Sequence, residues 1–137
     1  MNQTIPYRAK RRDRQGAAVV EFAVCLPVLM LLILGSIEAT SAVFLKQALT
    51  TSAYEGVRAA IRSGSTTAQA TQRANDVLSV RQVRNATVTF VPANVAAAAR
   101  GQRITVEVSA PVSSNSPFIG RVIADQVVRV RSVMVKE

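Results

Sequence analysis

The feature that most restricts this 137-residue chain is a run of sixteen uncharged residues, Phe22 to Ile37, preceded by a tight basic cluster. As an α-helix, at about 1.5 Å per residue, the run covers roughly 24 Å. Ala17 to Val20 on one side and Ala39, Ala42, Val43, Phe44 and Leu45 on the other extend it past the roughly 20 residues that a bilayer core requires. Two acids, Glu21 and Glu38, stand near its ends. Pro27 predicts a kink, because it removes one backbone hydrogen bond and its ring crowds the preceding turn. Gly35 is permissive at the other end and allows a neighbouring helix to come close.

The formal net charge is +9, which by itself suggests nucleic acid or an anionic surface as partner. Its distribution argues otherwise. Five of the seventeen basic residues, Arg8, Lys10, Arg11, Arg12 and Arg14, crowd ahead of the apolar run, and the others are spread singly from Lys46 to Lys136. A basic cluster directly before a membrane helix is the positive-inside signal, and it keeps the amino end in the cytoplasm. Residues 1–16 read as a polar, disordered cytoplasmic leader, 17–45 as a transmembrane helix, and 46–137 as an extracytoplasmic domain. No nucleic-acid role is expected.

Catalytic and cofactor chemistry find little support. The chain has no histidine, and Asp76, Glu107 and Asp125 are scattered, with no pair spaced for acid/base work. There is no glycine-rich phosphate loop and no metal-ligand cluster, so no catalytic residue, metal or cofactor is expected. Cys25 is the sole cysteine and lies inside the apolar run, which rules out an internal disulfide and reads as a small apolar side chain.

Beyond Glu38, Leu45, Leu49, Ala53, Val57 and Ala60 recur at spacings of three or four with polar residues between them. This pattern predicts that the helix continues as an amphipathic one, about 45 residues in all, until Ser63, Gly64 and Ser65 stop it. Thr66 to Leu78 predicts a second helix capped by Ser65 or Thr66. Ala86 to Val91 alternates and reads as a strand ended by Pro92, while Ala93 to Gly101 is open between a loop and one helical turn. In Arg103 to Ser109, Ile104, Val106 and Val108 face one way and polar residues the other. A Pro- and Ser-rich connection follows, in which Phe118 and Ile119 are expected to anchor a turn. Gln126 to Val135 is a third strand, with Val128, Val130 and Met134 on one face and Arg129 and Arg131 on the other. The fold class is therefore α+β: a long helix covering a small antiparallel three-stranded sheet, with a second short helix. Arg103, Arg129 and Arg131 line one sheet face, either solvated or open to an acidic partner.

Gly16 follows the basic leader and is followed in turn by Ala17, Ala18, Val19, Val20, Glu21 and Phe22. This arrangement resembles the processing site of type IV prepilins. The run from Glu21 to Glu38, with its Leu26–Pro27 step and its closing Gly35 and Glu38, is similar to the TadE-like pseudopilins of tight-adherence (Flp) pilus systems. The resemblance covers about Arg12 to Arg62. It implies that a membrane prepilin peptidase cuts between Gly16 and Ala17. It further implies that Glu21, beside Phe22, meets the new ammonium of Ala17 in its own or a neighbouring subunit and sets axial register, with Glu38 at the outer interface. The implied partners are the membrane, the peptidase, other pilins and pseudopilins, and the pilus assembly platform. The implied location is a bacterial inner membrane, single-pass, with a periplasmic domain that enters a surface pilus or assists its assembly. Two other readings stand beside this one: a secretory signal cut near Thr40, Ser41 and Ala42, and an uncut signal-anchored envelope protein with a small binding domain.

Overall fold

The computed structural model of the chain describes residues 10–118 and 126–137, and the chain divides between Ile37 and Glu38 into two units. Helix α1 spans Lys10–Ala60 and is continuous through Pro27. Residues 1–9 of the expected leader lie outside the described residues, and its remainder is helical rather than disordered. Lys, Arg and Gln are good helix formers, and Gly16, weaker than Ala by about 1 kcal/mol, is carried by the helical residues on either side.

The second unit is built on the outer part of α1. Helix α2 spans Thr67–Val80, and strands β1 (Thr87–Val91), β2 (Arg103–Pro111) and β3 (Val127–Val135) form an antiparallel sheet in the order β1-β2-β3. The stripe read from the sequence is the core: Leu45, Leu49, Ala53, Val57 and Ala60 are all buried. Opposite them lie Phe90 of β1 and Ile104, Val106, Val108 and Ala110 of β2, with Ala70 and Leu78 of α2 closing the side. Burial of such side chains, at about 25 cal/mol per Å², is the main term that holds a small domain together.

Small residues let the two helices meet closely. A Cβ on Gly56 would lie 3.1 Å from the Cβ of Ala74, and the buried Ser52 hydroxyl donates to the Ala74 carbonyl at 2.9 Å. Thr66, not Ser65, caps α2: its hydroxyl accepts from the Gln69 amide while the Gln69 side chain accepts from the Thr66 amide, a capping box. Ser65 instead turns back and donates to the carbonyls of Ala60 and Arg62.

The segment left open between loop and helix holds a single 3-10 turn, Val95–Ala97, capped by Asn94. Val95 is fully buried, and its amide donates to Thr67 Oγ1. After β2 a second such turn, Val112–Ser114, leads to Asn115, whose side chain bonds both backbone groups of Arg84 and so ties the α2–β1 loop to this connection. Phe118, expected as an anchor, is exposed, and Ile119 lies outside the described residues.

Candidate functional site

From Val19 to Ile37 the large apolar side chains of α1 are exposed. Leu29, Met30, Leu31, Leu32, Ile33 and Leu34 are consecutive, so at 3.6 residues per turn they point in every direction around the helix. A helix docked on a protein surface needs one apolar side. An apolar surface on all sides needs an apolar surrounding, and this helix is long enough to cross a bilayer. The chain thus has the form of a single-pass membrane protein.

The residues singled out in the sequence fall on this helix as follows. Gly16 and Ala17 are consecutive helical residues and both are exposed. Glu21 and Phe22 lie one turn further on and are exposed as well. Pro27 lies within the apolar stretch, as does exposed Cys25. At Gly16 and at Gly35 an added Cβ would meet nothing within 4 Å, so among the described residues no packing demands a glycine at either place. Glu38 opens the second unit, where it is half-buried and accepts a hydrogen bond from the Ser116 hydroxyl.

The three arginines share the open face of the sheet. Arg131 bonds Glu107 at 3.0 Å and Arg129 approaches the same carboxylate at 3.9 Å, both with exposed guanidinium groups. Such pairs are screened by water and contribute little to stability.

Two side chains have roles that the sequence reading did not assign. Lys136 is only 7% exposed, and its ammonium lies 3.0 Å from the Ala60 carbonyl, 3.1 Å from that of Arg62 and 3.3 Å from that of Val95. It closes the carboxyl end of α1, where unpaired carbonyls and the helix dipole favour a cation. The signal was present in the parity of β3: Val128, Val130, Ser132 and Met134 face inward, and Lys136 is the next member of that series. Arg81, at the C-cap of α2, places its guanidinium 5.7 Å from the centre of the Phe44 ring. No short-range pattern links positions 44 and 81, because the contact is made by the packing of α2 on α1.

Compared with known families, residues 16–58 match the family described as TadE-like protein, less than half of the chain. No curated protein and no solved structure matches the chain significantly.

Proposed function

We propose, from the TadE-like match of residues 16–58, that the chain is a pseudopilin of a Tad (Flp) pilus system, a structural component of pilus assembly rather than an enzyme. The observation that carries the reading is the helical surface around Leu29–Leu34, apolar on every side, on a segment introduced by a basic cluster, Gly16 and Glu21. The basic cluster holds the amino end in the cytoplasm, and residues 38–137 lie in the periplasm.

A prepilin peptidase cuts between Gly16 and Ala17 on the cytoplasmic side. The new ammonium of Ala17 then lies one helical turn from Glu21 of the same chain, roughly 6 Å along the axis. In lipid an isolated carboxylate is expensive, so Glu21 is paired either across that turn or with the Ala17 ammonium of a neighbouring subunit. The second pairing fixes the axial offset between two helices, since sliding one past the other strands both charges. Ala17, Ala18, Ala23 and Gly35 permit the backbones to come close, and Pro27 frees one carbonyl in the bilayer half of the helix. The partners are other pilins and pseudopilins and the membrane platform that assembles them.

Intact-mass measurement of the membrane form tests the reading. The native chain should lose residues 1–16, and Gly16→Ala should keep them. Because a Cβ at position 16 meets nothing in α1, the variant helix is unstrained, and a block in maturation reports on the peptidase alone. A native chain that retains its leader is a signal-anchored envelope protein instead.

A further inference from the structure

We propose that the groove beside Phe44 and Arg81 receives the headgroup of an anionic phospholipid, with the Arg81 guanidinium as the phosphate contact. The inference rests on the membrane-spanning reading and adds to it a lipid site on the second unit. The groove has a volume of about 240 Å³ and is lined by Phe44, Leu45, Arg81, Val83 and Asn115 among others.

Four observations lead to this occupant. First, Arg81 makes no ion pair: among the described residues no carboxylate lies within ion-pairing distance of it, although Glu55 and Asp76 line a neighbouring groove with it on the side away from Asn115 and Val83. Its place is fixed nonetheless, because its backbone amide donates to the Val77 carbonyl at 3.1 Å and the Phe44 ring lies beneath the guanidinium. A guanidinium resting on an aromatic face keeps an outer edge of N–H donors, and that fork fits two phosphate oxygens.

Second, Val43 and Phe44 are 57% and 54% exposed although the helix here already belongs to the packed domain. Apolar side chains left open beside a cation suit the boundary between acyl chains and headgroups. Third, Phe44 follows Ile37, the last residue of the uncharged run, by seven residues. Seven residues of helix rise about 10 Å, and even fully extended they reach no more than about 25 Å. Chain connectivity alone therefore keeps Phe44, and the guanidinium stacked on it, within about 25 Å of the end of the uncharged run. Fourth, Lys46 and Arg84 are exposed nearby, and Arg84 is clamped through its backbone to Asn115 of the groove. Glu38 accepts a bond from Ser116, and Asp76 accepts one from the Gln72 side chain.

These charges decide between lipids. Every phospholipid offers a phosphate, but a zwitterionic headgroup also brings its own cation toward Lys46 and Arg84, and an anionic one does not.

The test uses the full chain reconstituted in vesicles of phosphatidylcholine that contain a minor fraction of nitroxide-labelled lipid, either phosphatidylglycerol or phosphatidylcholine, with the nitroxide near the glycerol. A fluorophore is placed on Val80→Cys, next to Arg81 and 82% exposed, in a Cys25→Ser background. Labelled phosphatidylglycerol should quench it more strongly than labelled phosphatidylcholine. Arg81→Gln should reduce that preference about fivefold, the usual worth of one basic side chain at an anionic surface. Arg103→Gln, on the open sheet face, should leave it unchanged. Equal quenching by the two lipids in the parent protein, or a preference that survives Arg81→Gln, overturns the proposal. A fluorophore on native Cys25, quenched by a nitroxide deep in the acyl chain, reports the membrane span separately. Failure of that signal refutes the membrane reading itself, whatever is seen at position 80.

Discussion

Replacing Lys136 by Met separates two accounts of how α1 ends. If the ammonium fastens the helix end, its removal withdraws bonds to Ala60, Arg62 and Val95; if it is only stored there, removal relieves a buried charge. A hydrogen bond from a charged donor contributes about 1.5–3 kcal/mol net, so the two shorter contacts, at 3.0 and 3.1 Å, represent about 3–6 kcal/mol. Two effects offset part of this. Ala60 and Arg62 each keep a bond from Ser65, and the variant no longer dehydrates an ammonium. A loss of about 2–3 kcal/mol remains, which for a domain of this size lowers Tm by about 10–20 °C. Thermal unfolding of the detergent-solubilised full chain, followed by circular dichroism, measures it. Amide exchange at Arg62–Ser65 should accelerate in parallel. Lys46→Met, on an exposed part of the same helix, is the control and should stay within about 0.5 kcal/mol. A Lys136→Met protein that melts with the control refutes the fastening role.

Three further perturbations probe the packing of the second unit. Gly56→Val drives a branched side chain against Ala74, already 3.1 Å from an added Cβ, and should cost about 1–3 kcal/mol in thermal unfolding despite the better helix propensity of Val. Thr66→Ala removes one half of the α2 capping box and should cost about 1 kcal/mol, with Thr66→Ser restoring most of it. Glu107→Gln breaks the ion pairs to Arg129 and Arg131 but should change stability by less than about 1 kcal/mol, because both guanidinium groups are exposed. A larger loss in the last case would mean that the open sheet face is held by charge.

What the sequence revealed and what it hid divides by the range of the contacts. The stripe Leu45, Leu49, Ala53, Val57 and Ala60 and the alternation in β2 are short-period signals, and each residue lies where its period places it. The sheet order follows chain order, as hairpin-like neighbours allow. The start of α1 is hidden in the sequence because charge without periodicity resembles a loop, whereas Lys and Arg propagate a helix readily once a neighbour has nucleated it. The inward parity of Lys136 can be read from β3, but its partner cannot, because Ala60 and Lys136 are 76 residues apart. The candidate assembly residues Gly16, Ala17, Glu21, Phe22, Pro27 and Gly35 all sit within one stretch of helix, and their proposed roles lie in contacts with other molecules rather than in this fold.

That long separation also bears on how such a domain matures. Synthesis runs from the amino end, so the stripe from Leu45 to Ala60 is made well before β2 and β3, which supply its cover and its lysine latch. Until they arrive, a greasy ridge stands uncovered, and during that interval a holdase or a second copy of the chain has its best opportunity to capture it.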